Sequence, residues 1–225
     1  MSGTAGWKGV EPGWAQVDAL IEATLVREDA ALAACRRRSA ERGLPDIAVS
    51  AAQGAFLQLL AQVTGARLVL EVGTLGGYSM IWLARGVGEG GEVISLEVDP
   101  GHAETARENL REAGLAAAVT VITGAALDTL PRLEGPFDLA FIDADKVNNA
   151  AYVEHAVRLS RPGALVIVDN VVREGRILDA SADEAARATR ALYDRVAVHP
   201  RLEATVLQTV GNKGWDGLML ARVRG

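Results

Sequence analysis

Cysteine and long apolar runs are scarce in this sequence of 225 residues. Cys35 is the only cysteine, so the chain cannot close an internal disulfide. No apolar run approaches the ~18 residues of a membrane-spanning helix, and the first residues lack the basic and then apolar pattern of a secretory signal. We therefore expect a soluble protein of the cytoplasm, with no membrane partner.

An excess of basic charge is also missing. Lysine and arginine total 23 against 29 acidic residues, which gives a net charge of −6 and a pI near 5.2. A long-range attraction to polyanions such as nucleic acid is therefore not expected, although a local basic patch stays possible. The triplet Arg36 to Arg38 is the one candidate for such a patch, and we expect it to be the solvated end of a helix.

Size and chain order predict one domain of the α/β class. Residues 1–13 have little periodicity and are expected to form a flexible N-terminal arm, and residues 14–225 to form a single domain. An amphipathic helix from Val17 to Cys35 should end at Gly43 and Pro45, and Ser50 should cap a helix over 51–63. Strands over 68–72, 92–98, 119–122, 137–143 and 164–169 then alternate with helices over 78–85, 102–113 and 150–159, as in a doubly wound, mostly parallel sheet.

The C-terminal pattern differs from this alternation. After a polar helix near 183–196, two strands over 202–207 and 217–221 are joined only by a loop over 209–216. Parallel neighbours need a crossover of a dozen or more residues, so these two strands should pair antiparallel.

A nucleotide-type pocket is predicted where the first two strands end. Glu71 and Glu97 lie near the carboxyl ends of two buried strands, and the glycine-rich segment 73–77 begins a helix. A dinucleotide fingerprint would need glycine at 75 and 78, where the chain has Leu75 and Tyr78, so a pyrophosphate is disfavoured. Glu97 can bind a ribose diol and Glu71 can lie under a cationic group, which together indicate S-adenosylmethionine.

A second set of polar side chains ends the next two strands. Asp143 follows one strand, and Asp169 with Asn170 follows the other. Their oxygen atoms suit Mg²⁺, Mn²⁺ or Ca²⁺, and the absence of histidine and cysteine from these segments disfavours zinc. Lys146 lies one turn after Asp143 and would act as a base if burial and a neighbouring cation favour its neutral amine. Asp145 is left open as a further ligand or a helix cap.

The segments LEVGTLGGYS, ISLEVD, FIDADK and VDN, in this order, resemble the cation-dependent class I O-methyltransferases, which include the caffeoyl-coenzyme A and catechol enzymes. The resemblance extends from Ile47 to Val223. It implies a seven-stranded sheet with an antiparallel last strand, usually in a homodimer, a cation on Asp143, Asp169 and Asn170, and Lys146 as the base. The cofactor-binding residues that it implies are Val49, Glu71, Gly73, Thr74, Ser79, Glu97, Ala126 and Asp143.

The leading hypothesis is therefore methyl transfer to one hydroxyl of a vicinal diphenol. The alternative acceptor is a hydroxylated uridine in transfer RNA, against which the acidic balance counts. A nicotinamide-dependent oxidoreductase is disfavoured by Leu75 and Tyr78, and a non-catalytic binding module by the intact Lys146 and metal set. One departure from the resemblance lies in 50–54, where plant members carry acidic residues before the glycine. With the loop over 171–182, this region helps to shape specificity and leaves the acceptor open.

Overall fold

The computed structural model describes residues 11–26, 28–179, 181 and 183–225. Its helices are α1 (Glu11–Thr24), α2 (Ala30–Glu41), α3 (Ala51–Val63), α4 (Tyr78–Val87), α5 (Pro100–Glu112), α6 (Ala126–Thr129), α7 (Asn149–Leu159) and α8 (Glu184–Val198). Its strands are β1 (Leu68–Val72), β2 (Glu92–Glu97), β3 (Val119–Thr123), β4 (Phe137–Ile142), β5 (Ser160–Asp169), β6 (Leu202–Gly211) and β7 (Gly214–Val223). Short 3₁₀ turns cover Leu130–Arg132, Lys146–Asn148 and Arg173–Leu178.

The strands form one seven-stranded sheet in the order β3-β2-β1-β4-β5-β7-β6. The pairs from β3 to β5 are parallel, and β7 runs antiparallel to both β5 and β6. This confirms the predicted doubly wound, mostly parallel sheet with an antiparallel last strand. The strand order reverses between β1 and β4, and the crevice at the carboxyl ends of these two strands is where such sheets bind ligands.

Both faces of the sheet are covered, which explains the apolar runs of the central strands. One apolar cluster joins the sheet to α7 and α8, for example through Tyr152 and Leu192. The other joins it to α2, α3, α4 and α5, for example through Leu32, Leu57 and Leu110. The helices are thus fixed on the sheet by buried side chains. Within the described residues, no helix combines the length and the apolar character needed to cross a membrane.

The N-terminal region differs from the expectation in two ways. The pattern from Val17 to Cys35 forms two helices instead of one, because the side chain of Asp29 accepts a hydrogen bond from the Leu32 N–H at 3.1 Å and starts α2 as its N-cap. The expected arm over 1–13 ends too late, because α1 already begins at Glu11. Residues 1–10 of that arm lie outside the described residues.

The last two strands are also longer than expected. We expected a loop over 209–216, whereas β6 and β7 form a hairpin in which only Asn212 and Lys213 lie between the strands. The polar residues Thr209 and Asp216 are paired across this hairpin. Since β6 is an edge strand with mostly exposed side chains, polar residues do not interrupt it.

Helices α3 and α4 approach closely at two glycines. A Cβ at Gly54 would overlap the indole of Trp82, and a Cβ at Gly86 would lie 2.7 Å from that of Ala61. Trp82 and Ala61 are buried, so neither neighbour has free space to move into. The position of α3 against α4 therefore depends on having glycine, which has no side chain, at positions 54 and 86.

We predict that Gly54→Ala lowers the free energy of unfolding by about 1–3 kcal/mol, because overpacking exceeds the gain in helix propensity of up to ~1 kcal/mol. Chemical denaturation of the purified protein measures this change. Gln62→Ala, at an exposed position of the same helix, should stay within about 0.5 kcal/mol of the wild type. Equal stability of Gly54→Ala and the wild type would show that the indole can shift freely.

Candidate active site

A large cavity opens at the carboxyl edge of the sheet, at the reversal of strand order. Its volume is about 1220 Å³, which exceeds the ~300–1,000 Å³ of ordinary ligand pockets and leaves room for two molecules. The segments that follow β1, β2, β3 and β4 line it, together with Asn170 after β5 and the chain before α3. Of the sequence-predicted residues, it is lined by Val49, Gly73, Thr74, Ser79, Glu97, Ala126, Asp143, Lys146 and Asn170.

The glycine loop between β1 and α4 is held by Glu97. One carboxylate oxygen, Oε2, accepts the backbone N–H groups of Thr74 at 3.1 Å and Leu75 at 2.7 Å, and Oε1 accepts that of Asp99 at 2.9 Å. Leu75 has a positive φ of 49°, a conformation uncommon outside glycine, and the carboxylate stabilises it. Oε2 already accepts two hydrogen bonds, but Oε1 accepts only one, so Glu97 can fix the loop and still accept a ribose hydroxyl through Oε1.

Glu71 is fully buried beneath this loop. Its carboxylate accepts hydrogen bonds from the hydroxyls of Ser79 at 2.6 Å and Ser95 at 2.5 Å. Burial is the largest influence and raises the pKa of Glu71 to about 7, against the two hydroxyls that lower it. Ser95 also lies 2.5 Å from the Thr74 hydroxyl, so a chain of polar groups joins Glu71 to the glycine loop.

Helix α2 covers the outer side of the same loop. The carbonyl of Gly76 accepts hydrogen bonds from the Cys35 thiol at 3.3 Å and the Asn109 amide at 2.8 Å. Arg38 in turn donates to Asn109 at 2.5 Å and forms an ion pair with Glu112. Side chains of α2 and α5 thus enclose the glycine loop. Because these residues are far apart in the sequence, their spacing does not predict the contacts.

The basic triplet is therefore not the solvated helix end that we expected. Arg36 pairs with Glu28 at 2.7 Å and lies 3.9 Å over the ring of Tyr78, and only Arg37 is mostly exposed. Arg38 keeps 16% of its side chain exposed. Acidic side chains thus neutralise the triplet, and no free basic rim exists at these positions.

The second group of predicted residues lies on adjacent strand ends. Ile142 is paired with Val168, so Asp143 and Asp169 follow side by side. Burial, and to a smaller extent the negative charge of the neighbouring Asp143, raise the pKa of Asp169 to about 7. Lys146 Nζ lies 2.9 Å from Asp143 Oδ1.

Asn170, the third expected ligand, lines the same cavity as Asp143 and Lys146 and has a positive φ of 57°. Two repelling carboxylates and an amide oxygen on neighbouring strand ends are a donor set that fits a hard cation. No group of three histidine, cysteine, aspartate or glutamate side chains suited to a metal occurs in the part of the chain that the structure describes. The candidate set has only two such residues, so its third protein ligand would be the amide.

Three polar side chains have positions that the sequence did not reveal. Gln53 donates its amide Nε2–H to Asp169 Oδ2 at 2.7 Å, and Ser95 holds Glu71. Asp145, left open as a ligand or a cap, accepts hydrogen bonds from the Tyr152 hydroxyl at 2.5 Å and the Asn148 amide at 2.6 Å, and it makes no capping bond. The bonded residues are up to 116 positions apart in the sequence, as in the pair Gln53 and Asp169. Of these residues, the sequence analysis had noted only the segment 50–54, which contains Gln53.

Comparisons with known proteins identify the family of this chain. The O-methyltransferase family model matches residues 22–224. The chain is 57% identical to a catechol O-methyltransferase of Mycobacterium tuberculosis, over 95% of this chain and 98% of the relative. It is 47% identical to a catechol O-methyltransferase of Niastella koreensis, over 92% and 96%.

The fold of this chain is also similar to that of a solved O-methyltransferase structure. An O-methyltransferase from Bacillus cereus, in complex with SAH, superposes with a TM-score of 0.92 at 48% identity, over 95% of this chain and 99% of that one. The chain belongs to the O-methyltransferase family. This confirms the class of enzyme and the fold that the sequence predicted. The roles of individual residues in this O-methyltransferase stay predictions.

We predict that Glu71 makes the stability of this O-methyltransferase depend on pH. Because its pKa rises from 4.5 to about 7 on folding, the folded protein is favoured while the carboxyl keeps its proton. This contribution is complete below about pH 4.5 and is lost as the pH rises through about 7, a change on the order of 3 kcal/mol. Glu71→Gln, whose amide does not titrate, should lose less stability than the wild type over that range.

Thermal unfolding of both proteins between pH 4.5 and 8 measures the difference. Asp169 titrates in the same direction in both proteins, so only the difference between the two curves reports on Glu71. Parallel curves would contradict the assignment of a raised pKa to Glu71.

Proposed function

We propose that this O-methyltransferase transfers a methyl group from S-adenosylmethionine to one hydroxyl of a vicinal diphenol, with a divalent cation bound at the acceptor. The observation that carries the proposal is the placement of Asp143. It follows β4 beside the glycine loop, pairs with Lys146 and lies next to Asp169 at the end of the neighbouring strand. A donor pocket and an acceptor pocket can therefore share one edge of the sheet.

The donor side supports an adenosyl sulfonium rather than a dinucleotide. The relative from Bacillus cereus binds SAH, the product that S-adenosylmethionine leaves after methyl transfer. In this chain, Glu97 Oε1 keeps a free lone pair for a ribose hydroxyl. Glu71 is fully buried behind Ser79, which lines the cavity, so its negative charge can favour a cationic ligand from behind this serine. Val49, Thr74, Ser79 and Ala126 line the cavity around them.

The acceptor side supports a substrate with two neighbouring oxygens. Both curated relatives are catechol O-methyltransferases, and Asp143, Asp169 and Asn170 would hold Mg²⁺, Mn²⁺ or Ca²⁺. When bound, such a cation would stabilise the acceptor oxyanion as a Lewis acid and compete with Lys146 for Asp143, which favours the neutral amine.

Lys146 then removes the proton from one hydroxyl. That oxygen forms a bond to the methyl carbon while the bond from carbon to sulfur breaks, so that the methyl ether and adenosylhomocysteine are the products. The chain supplies orientation, and holding the two reactants at attack distance can lower the barrier by ~7–11 kcal/mol. A transfer RNA acceptor has less support, because the arginines of α2 are paired with acidic side chains.

We further propose a homodimer, as the resemblance to the family implies. Val17 and Leu20 of α1 and Leu207 and Val210 of β6 are exposed apolar residues on two elements that contact each other. Burying such a surface against a second copy would be favourable. Sedimentation analysis tests this proposal, and a monomer at micromolar concentration would contradict it. The expected cytoplasmic location stays a prediction.

We predict that Lys146→Met lowers kcat by about 10²–10⁴-fold, the usual contribution of a general base. Binding of adenosylhomocysteine should change little, because Lys146 is not among the proposed cofactor-binding residues. Transfer of a labelled methyl group and calorimetry measure the two quantities. Arg195→Met is the control, since Arg195 is a charged residue at an exposed position of α8 and lies outside the cavity lining. Full activity of Lys146→Met would exclude Lys146 as the base.

The acceptor and the cation are tested together with labelled S-adenosylmethionine. We expect Mg²⁺-dependent labelling of catechols, loss of labelling with a chelator, and at least ~10²-fold weaker labelling of monophenols, which offer only one oxygen to the cation. Total transfer RNA serves as the competing acceptor. Labelling of transfer RNA with a steep salt dependence, and none of catechols, would replace the proposed acceptor. Undiminished labelling in chelator would exclude the cation.

A further inference from the structure

We propose that Gln53 is a positioning residue of the cation site, which holds the Asp169 carboxylate in the orientation that binds the cation. The inference rests on the proposed function, because it assigns a partner to one of the cation ligands. Its basis is the direct hydrogen bond from Gln53 Nε2 to Asp169 Oδ2 at 2.7 Å.

The two oxygens of Asp169 are fixed by two different donors. Oδ2 accepts the amide of Gln53, and Oδ1 accepts the backbone N–H of Asn170 at 2.7 Å. A carboxylate oxygen has two lone pairs, so each can accept one hydrogen bond and still face a cation. Together the two donors oppose rotation of the carboxylate out of this orientation. Partners of this kind orient metal ligands and commonly change metal affinity by about 10–100-fold when removed.

Gln53 reaches the sheet edge because its helix is fixed there. Ser50 begins α3 by accepting the Gln53 N–H at 3.1 Å, which sets the first turn next to the cavity. Gly54, the following residue, lies against Trp82 so closely that no side chain fits. The amide of Gln53 is thus presented by a packed helix end rather than by a flexible surface side chain.

The chemistry of an amide suits this position. Asp169 is only 5% exposed and lies beside Asp143, so its negative charge is opposed by burial and by a like charge. A neutral N–H donor stabilises the ionised carboxylate without adding charge. A carboxylate at position 53 would instead place a third negative group beside Asp169.

Gln53→Met tests the inference, because methionine keeps the length and the unbranched shape but cannot donate a hydrogen bond. Binding of Mn²⁺ to the full chain, followed by electron paramagnetic resonance, should weaken by about 10–100-fold. Binding of adenosylhomocysteine should stay within about twofold, since Gln53 does not line the cavity. The Mn²⁺ concentration for half-maximal methyl transfer should rise by the same factor as the dissociation constant.

Gln62→Met on the exposed side of the same helix is the matched control and should bind Mn²⁺ as the wild type does. Gln53→Ala is the second variant, to be used if Gln53→Met does not fold. It should also weaken Mn²⁺ binding, because alanine cannot donate the hydrogen bond either. Wild-type affinity in a folded Gln53 variant would overturn the role of Gln53 and leave the proposed cation site intact. No Mn²⁺ binding to the wild type would overturn the proposed cation site and this inference together.

Discussion

The close approach of the chain after β1 to the chain after β4 is the constraint on which the site depends. The Asp143 N–H donates to the Val72 carbonyl at 2.8 Å, and Gly73 then passes so near the Asp143 carbonyl that any Cβ would overlap it. Gly73 also has a φ of 100°, which L side chains rarely adopt. One glycine thus allows the glycine loop and the candidate cation ligand to lie together where the strand order reverses. The two proposed pockets are neighbours for this reason.

Placing acids at this junction costs stability, and the structure offsets the cost in different ways. Glu71 has two hydroxyl donors, Asp169 has an amide and a backbone donor, and Asp143 has the ammonium of Lys146. Hydrogen bonds to a charged group offset only part of its desolvation, so the pKa values of Glu71 and Asp169 remain raised to about 7. A cationic ligand in either pocket would remove this remaining cost, so that binding and folding stability are coupled at the site.

The sequence predicts most of the sheet and the strand-end residues, because both follow from local patterns. Apolar runs of five to six residues identify buried strands, and residues that directly follow them must lie at one edge. The sequence analysis missed the break between α1 and α2, because the apolar spacing continues across Asp29. The capping hydrogen bond of Asp29 starts α2 as a separate helix. The antiparallel pairing of the last two strands was predicted, but their length was not, because a polar residue such as Asp216 indicates a loop unless the strand is known to lie near the sheet edge.

The partners of the site residues were beyond prediction for a different reason. Gln53 and Asp169, or Ser95 and Glu71, are brought together only by the packing of whole elements, so no spacing along the chain identifies them. For the arginines of α2, the sequence predicted a feature that the packing of the elements removes. Their clustering indicates a basic surface, yet ion pairs such as that between Arg38 and Glu112 neutralise it once α2 lies on α5.

The turn after β5 shows how the acceptor side is kept rigid. Asn170, Arg173 and Glu174 all have positive φ values between 55° and 57°, which is unfavourable for residues with a side chain. Asp216 Oδ1 accepts the N–H groups of Val172 at 3.0 Å and Arg173 at 2.9 Å, and the Tyr193 hydroxyl donates to the Val171 carbonyl at 2.7 Å. These bonds, which come from β7 and α8, stabilise the strained backbone. Because Asn170 belongs to this turn, its position is set by the far end of the chain, and substitutions in the hairpin can reach the acceptor side without contacting it.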